Sequence, residues 1–529
     1  MFDLLISNVK IVDGTGSPSV KGSVAVTGNT IVECATGCSQ PVPKARETIN
    51  AEGLALSPGF IDIHGHSDLM VLTNPFPLAK VQQGVTTDVV GNCGISIAPL
   101  TDASAKELRS LAIGVLGRSN LEWTWRSFGE YLDRIQANRP VNNVAVFVGH
   151  NTIRATALGM EDVPITPKRL KAMKDLVGAA IDEGAFGLSI GLIYMPGYFA
   201  TEDELCALAA VAGKKGGIYA THMRNEADNV LESTATTIET AKKANVSLQI
   251  VHLKAAGRRN WSKMEPLIEM IAKARAAGQP VDYDQYPYTA GSTGLVSLLP
   301  RWAQAGGMEK IIARLKSPAE RKKIAADLDN KHSHENFVAM TGWEAVFISS
   351  VGSQKNRAVE GKSLPDIAKM RGQTITDALA DILIEESGDA AMIVFSMGED
   401  NIKMGLKQDW GMVGSDGLFG GRSHPRLHGT FPRVLGKYSR DEKVLPLEIA
   451  VKKMTSLPAR KLGLKDRGVI AKGMKADLVL FDPLRIKDGA TYEHPLRFAV
   501  GMARVIVNGK TVMLEGKYTG ARPGQVLRK

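Results

Sequence analysis

Two histidines one residue apart, His64 and His66 in Gly59-Phe60-Ile61-Asp62-Ile63-His64-Gly65-His66, carry the strongest chemical signal in the chain. An apolar run that turns polar through His-x-His reads as a buried strand. Its period of two places both imidazoles on one face and turns Gly65 away, so one cation can use both. The plain alternative is a pair of loop histidines satisfied by water. Further ligand-type residues weigh against it, because they stand where β-branched or apolar runs give way to Gly, Asn or charge. They are Cys93 after Val90-Gly91-Asn92, His222 after Tyr219-Ala220-Thr221, His252 after Gln249-Ile250-Val251 and Asp416 after Val413-Gly414-Ser415.

Residues so far apart in sequence need a scaffold that brings strand ends together. Thirty residues separate His222 from His252, and 228–244 between them has apolar positions at helical spacing, which makes one βα unit. Strands expected at 61–64, 85–91, 144–150, 186–191, 218–222, 247–252, 281–286 and 412–416 make eight. Closed into a (β/α)8 barrel of the TIM type, they open all their carboxyl ends on one mouth. The interval 300–411 is too long for a βα loop and is expected to hold the last barrel helix and an inserted lid or subdomain around 300–365. Alternating runs with hairpin turns in the first fifty residues, answered by 476–482 and 505–510, predict one small β-sandwich built from both termini. The expected division is 1–57 with 465–529 for the sandwich and 58–464 for the barrel.

Composition sets bounds on partners. With 529 residues, 44% of them hydrophobic and 23% charged, the chain can bury a barrel and a satellite domain. No apolar run is long enough to span a membrane, and Asp3 within a strand pattern argues against a signal peptide, so a cytoplasmic location is expected. Four cysteines make no disulfide framework in a chain this long, and Cys34 with Cys38 reads as incidental. The excess of 65 basic over 55 acidic residues suits a small anionic substrate. Its dispersal gives no sign of a nucleic-acid surface.

The motifs Asn8-Val9-Lys10-Ile11-Val12-Asp13-Gly14, Pro58 to His66 and Lys475-Ala476-Asp477-Leu478-Val479 resemble the amidohydrolase superfamily. Gly91-Asn92-Cys93-Gly94, Thr221-His222-Met223-Arg224-Asn225-Glu226 and Ser415-Asp416-Gly417, with the segment 424–436, narrow the resemblance to the N-acyl-D-amino-acid deacylases, over nearly the whole chain. The resemblance implies a tightly held zinc on Cys93, His222 and His252, with His64, His66 and Asp416 around a second, weaker site. The donor chemistry agrees, since a thiolate with two imidazoles favours zinc over magnesium or calcium and leaves one position open. Many superfamily members bridge two metals with a modified lysine ending the fourth strand, but here that strand reads Gly187-Leu188-Ser189-Ile190-Gly191, which leaves Cys93 as the bridging candidate.

The reaction so implied is hydrolysis of an N-acyl-D-amino acid to a carboxylate and a free D-amino acid, with Asp416 moving the proton. Arg426 matches the family's carboxylate clamp, Tyr286 and Ser292 fall where the family places substrate donors, Lys254 lies two residues beyond His252 and hence on the same face, and Tyr194 and Met195 are pocket candidates. The apolar character of Ile193, Tyr194 and Met195 favours neutral hydrophobic side chains, whereas Arg258, Arg259 and Arg301 would favour acidic ones. His150 is expected to be structural, and His332, His334 and His494 to lie on the surface. The alternatives are a cyclic amide or imide hydrolase of the same superfamily and a catalytically silent scaffold barrel. Nothing in the sequence fixes the oligomeric state.

Overall fold

The computed structural model describes residues 1–36, 44–73, 78–330 and 335–529; Cys38, His332 and His334 lie outside the described residues. Eight parallel strands run in chain order: β1 (Phe60–Asp62), β2 (Val85–Val90), β3 (Asn143–Val146, resuming at Val148–Gly149), β4 (Gly187–Gly191), β5 (Ile218–His222), β6 (Ser247–Ile250), β7 (Val281–Gln285) and β8 (Gly411–Val413). Each pairs in parallel with its neighbours in that order. The ladder crosses Phe147, whose N–H donates to Val90 O at 2.9 Å while Phe186 N–H donates to Val146 O at 2.9 Å. After β8 the chain returns to β1. Gly417 forms a parallel bridge with Gly65, Asp416 N–H donates to His64 O at 2.8 Å, and Ser415 N–H donates to Asp62 Oδ1 at 2.8 Å.

Several strands are shorter than the sequence predicts. β1 stops at Asp62, β6 at Ile250 and β8 at Val413, so His64, His66, His252 and Asp416 sit two to four residues beyond the end of the strand. The backbone there is no longer extended, with φ of 36° at His252, 48° at Asp416 and 52° at Cys93. Strand alternation therefore does not set the direction of the Cys93, His252 and Asp416 side chains.

Helices cover the outer face, and local sequence accounts for them. Phe128–Ala137 buries Phe128, Tyr131, Leu132 and Ile135, a stripe of helical spacing, and begins with a Ser127–Glu130 capping box. Glu202–Lys214 opens on a Thr201 cap with three acidic residues in its first turn, which suits the positive end of the helix dipole.

The chain ends form one sheet. Nine strands from both termini are hydrogen-bonded together. Ala55–Pro58 is the seam, parallel to Phe2–Ile11 on one edge and antiparallel to Leu478–Phe481 on the other. With both edges occupied, it fuses the two halves. Alternation divides Leu478–Phe481 between two cores, with Leu478 and Leu480 beside Leu4, Ile6 and Leu56, and Val479 and Phe481 beside Phe60 and Val85.

The inserted unit is larger than the interval 300–365. Ala290–Gly294, Val346–Val351 and Ala390–Phe395 make a three-stranded antiparallel sheet. Its helices surround a core of their own that includes Leu295, Leu315, Ile348 and Leu383. Both outer strands need the central strand 390–395, which carries the insertion past 365.

Candidate metal centre and active site

The loops leaving the strand ends place two buried ligand sets side by side. His64, His66, Cys93 and Asp416 offer donor atoms that all lie within 4.8 Å of one another, as do Cys93, His222 and His252. Cys93 belongs to both sets. Its Sγ lies 3.3 Å from His64 Nε2 and 3.5 Å from His252 Nε2. Asp416 Oδ1 lies 3.1 Å from His66 Nε2 and 3.5 Å from His64 Nε2.

Second contacts aim these groups. Asp284 Oδ1, on β7, lies 3.0 Å from His64 Nδ1 and accepts from His252 N–H at 2.9 Å. Its Oδ2 accepts from Gln249 Nε2 at 2.7 Å. Burial opposes the charge on His64, but Asp284, Cys93 and Asp416 outweigh it and hold the imidazole well above its ordinary range. A cation would have to displace the Nε2 proton, and the Nδ1 proton on Asp284 would then give the usual arrangement of a carboxylate behind a metal-ligating histidine. His252 Nδ1 lies 2.7 Å from Lys254 Nζ and 3.0 Å from Glu226 Oε1. Behind β1, buried Lys80 bridges Asp62 Oδ2 at 2.5 Å and Ser415 Oγ at 2.6 Å. This ties down the turn that carries Asp416.

The donor set fits a metal. Both ring nitrogens of His222 and Nδ1 of His66 are buried without a hydrogen-bond partner among the described residues, an unfavourable arrangement that a coordinated cation resolves. Burial drives the His222 and His252 imidazoles well below their ordinary range, and His66 down to about 4. They are therefore neutral, as ligands must be. Burial pushes the Cys93 thiol up to about 11, with His64 holding it back. Asp416 is opposed by burial, but Arg426 and His64 outweigh it and keep its carboxylate well below the usual range.

Gly191 explains why no lysine ends β4. A Cβ there would lie 1.9 Å from Cys93 O, so the Cys93 loop fills the space that any longer side chain would need.

A cavity opens onto the centre and is lined by Tyr194, His222, His252, Lys254, Tyr286, Ser292, Asp416 and Arg426, with Ile193, Phe337 and Val394 as apolar walls. Arg426 is fully buried, its Nη1 lies 2.8 Å from Asp416 Oδ2, its Nη2 donates to Ser292 O at 2.9 Å, and its guanidinium lies 4.5 Å from the centre of the Tyr286 ring. Lys254 Nζ donates to Glu226 Oε2 at 2.6 Å. Ser292 Oγ donates to Met392 O at 2.8 Å, so its hydroxyl proton is engaged inside the inserted sheet. Met195 is absent from this cavity and lines a second, apolar one behind Tyr194. His150 lies elsewhere, with Nε2 2.8 Å from Glu204 Oε1, beside Arg154.

Sequence reasoning missed Asp284, Lys80 and Glu335, and named Glu226 as part of a motif and as the fallback for Asp416 in proton transfer. The spacing of Asp282, Asp284 and Tyr286 along one strand held a signal for Asp284. Lys80, in the helix Leu78–Val81, and Glu335, whose carboxyl is pushed up to about 8 by burial and by Glu226, carried none.

The amidohydrolase family model matches residues 47–347 and 352–513. The D-aminoacylase of Alcaligenes xylosoxydans xylosoxydans is 35% identical over 529 residues, covering 100% of this chain and 98% of the relative. The N-acyl-D-glutamate deacylase of the same organism is 34% identical over 528 residues, covering 100% and 96%. The crystal structure of N-acyl-D-glutamate deacylase from Bordetella bronchiseptica, complexed with zinc and a phosphonate that mimics the tetrahedral intermediate, superposes with a TM-score of 0.84 at 34% identity over 100% of both chains. With a full-length match of that kind and two ligand sets sharing one cysteine, this chain belongs to the amidohydrolase family, in its D-aminoacylase branch.

Proposed function

We propose that this protein is a zinc-dependent hydrolase that cleaves N-acyl-D-amino acids into a carboxylate and a free D-amino acid. The observation that carries the reading is a single buried thiol shared by two ligand sets beside a fully buried arginine. We read the eight strands as one closed (β/α)8 barrel, supported by the Gly65–Gly417 bridge, with residues 1–57 and 465–529 as the terminal domain and 290–395 as the inserted one.

Cys93, His222 and His252 would hold the tight zinc, and His64, His66 and Asp416 the weaker site with Cys93. Zinc supplies Lewis acidity to the scissile carbonyl and to water. Asp416 is ionised and within reach, and takes the proton of the attacking water before returning it to the leaving nitrogen. Arg426 faces the same cavity with a planar fork suited to the substrate α-carboxylate. Substrate entry exchanges its Asp416 partner for that carboxylate, which frees Asp416 for proton transfer. Tyr286 and Lys254 line the same end of the cavity. Ser292 contributes its carbonyl to Arg426, and its hydroxyl, which donates to Met392 O, keeps lone pairs to accept from the substrate.

The side chain of the substrate faces Ile193, Phe337 and Val394, which favours neutral hydrophobic residues. Two of the arginines that would favour an acidic side chain are engaged elsewhere. Arg259 pairs with Asp228 at 2.5 Å and Arg301 stacks 4.6 Å from the centre of the Tyr198 ring. The test is turnover of N-acetyl-D-methionine compared with its L-enantiomer, N-acetyl-D-glutamate and hydantoin. The D-methionine derivative is expected to lead, and preferred hydrolysis of hydantoin would establish the cyclic amide reading instead.

A further inference from the structure

The segment that carries Arg426 holds another buried ionisable group, which the reaction as described leaves without a task. His424 is fully buried two residues before Arg426. Its Nδ1 accepts from the Arg426 backbone N–H at 3.0 Å. Arg426 opens the helix Arg426–Arg433, and the first N–H groups of a helix have no partner inside it, so the imidazole takes one of them. Its Nε2 lies 2.9 Å from Ala290 O, on the first strand of the inserted sheet. A carbonyl oxygen only accepts and a backbone N–H only donates, so these two partners place the single proton of a neutral ring on Nε2. Burial and the Arg426 guanidinium hold the imidazole well below its ordinary range, which keeps the ring neutral.

The ring is fixed by its neighbours as well. Tyr288 and Tyr492 meet it edge-on, with ring centres 5.3 and 5.2 Å away, and Tyr286 lies at 6.4 Å. The Tyr492 hydroxyl, from the C-terminal part of the chain, is 3.4 Å from Nε2. The inserted strand Ala290–Gly294 therefore meets the arginine twice. Ser292 O accepts directly from Arg426 Nη2, and Ala290 O reaches the Arg426 backbone by way of the imidazole. His424 itself is not among the residues that line the cavity.

We propose that His424 is the positioning residue of the carboxylate clamp, and that it registers the backbone of Arg426 against the inserted strand. The inference rests on the deacylase reading, with Arg426 as the group that meets the substrate α-carboxylate. Arginine is long and has many rotamers, so ordering its tip without help is costly. When substrate displaces Asp416 from the guanidinium, the fork keeps Ser292 O at one end and the anchored backbone at the other. Without the backbone anchor, the fork loses its register with the carboxylate.

The experiment compares kcat/KM of the zinc-loaded full chain for N-acetyl-D-methionine and for N-acetyl-D-methioninamide, read as acetate release. The amide lacks the charged carboxylate, so the ratio isolates the clamp, and changes in zinc content, proton transfer or folded fraction cancel. Wild type should favour the acid by about a hundredfold, the weight of a charged hydrogen-bond partner. His424→Phe keeps a ring among the tyrosines and removes both hydrogen bonds, and His424→Gln can reach Ala290 O with its amide nitrogen but offers Arg426 N–H no acceptor at the Nδ1 position. Both should lower the ratio by about tenfold or more, chiefly through KM for the acid. His424→Asn, whose side-chain oxygen stands where Nδ1 stood, should bring the ratio back to within about threefold of wild type. A ratio unmoved in His424→Phe and His424→Gln, or losses that fall equally on both substrates, assigns His424 to packing alone and overturns the inference. So does His424→Asn performing no better than His424→Gln. If the two polar variants do not fold, His424→Phe decides; if His424→Phe does not fold, the polar pair decides. A wild type that hydrolyses the acid without preferring it to the amide removes the clamp and this inference with it, but leaves the deacylase reading standing. Failure to hydrolyse N-acetyl-D-methionine at all is a separate result that removes the deacylase reading itself.

Discussion

The two ends of the parallel strands treat buried polar groups in opposite ways. At the amino end of β3, Asp477 is saturated. Its Oδ2 accepts from Asn143 Nδ2 at 3.0 Å and Arg467 Nη1 at 2.5 Å, and its Oδ1 accepts from Asn508 N–H at 2.7 Å. Asn508 Nδ2 closes the knot by donating to Asn143 Oδ1 at 2.8 Å. At the carboxyl ends, among the described residues, His222 has no hydrogen bond on either nitrogen, with only Glu226 Oε2 at 3.5 Å from Nε2, and His66 has none on Nδ1, while Cys93, His252 and Asp416 hold a left-handed backbone that costs of order 1–3 kcal/mol each. Both places are buried and rich in ionisable groups, so burial and charge do not tell them apart. What separates them is how the ionisable groups are met: both oxygens of Asp477 have partners, although the neutral Asn508 Oδ1 and the Asn142 amide beside them have none among the described residues, whereas the other end leaves titratable ring nitrogens without a hydrogen bond.

The largest effect is expected at the carboxyl ends. Asp416→Ala should lower kcat by about a hundred to ten thousand-fold, the usual contribution of one positioned acid and base. Zinc content and thermal stability should stay close to wild type, since the tight ligand set is intact. Retention of more than about a tenth of kcat at saturating substrate would transfer the proton to another group, with Glu226 the first to test.

At the opposite end the expectation inverts. Asp477→Ala leaves Arg467 and Asn143 buried without their shared acceptor, which should cost roughly 2–4 kcal/mol in denaturant unfolding. Burial holds the Asp477 carboxyl above its ordinary range against Arg467, which trims the charged part of that loss. Zinc stoichiometry and kcat should be preserved below the unfolding transition. A change in kcat larger than the change in stability would break the division between the two ends.

The smallest effect concerns pH and zinc. The Cys93 thiol lies at about 11 in the metal-free protein, so it is protonated at neutral pH and coordination must displace that proton. Its affinity contribution is therefore weakest at low pH and grows as pH rises toward about 11, tenfold per pH unit for each proton released. Competition with a chelator of known affinity at pH 6.5 and 7.5 should show at least this slope after correction for the chelator's own protons. A pH-independent affinity would mean that the thiol is already ionised.

Much of this chemistry is readable from residue types. His64, His66, Cys93, His222, His252 and Asp416 each follow an apolar run, because a buried strand must be apolar and the side chain that follows it emerges at the rim. The βα rhythm between His222 and His252 likewise fixes their strands as parallel neighbours. Spacing does not convey what happens beyond the last paired residue. Alternation would turn Cys93 and Asp416 by strand geometry, and the actual left-handed turns depend on contacts such as Ser415 with Asp62 and Lys80, more than 300 residues away in sequence. Met195 and Tyr194 are adjacent in sequence and share the apolar cavity, yet only Tyr194 also lines the cavity at the metal ligands.

The sequence by itself determined the ligand types, the parallel strand order and the absence of a lysine at the end of β4, since each depends on local composition and period. Only the tertiary structure decided that Cys93 serves both ligand sets, that Asp284 aims His64, that Arg426 pairs with Asp416, and that one continuous sheet joins the chain ends. Those outcomes depend on distances between residues far apart in the chain, and such distances are set by the closure of the whole fold, which no local window of sequence contains.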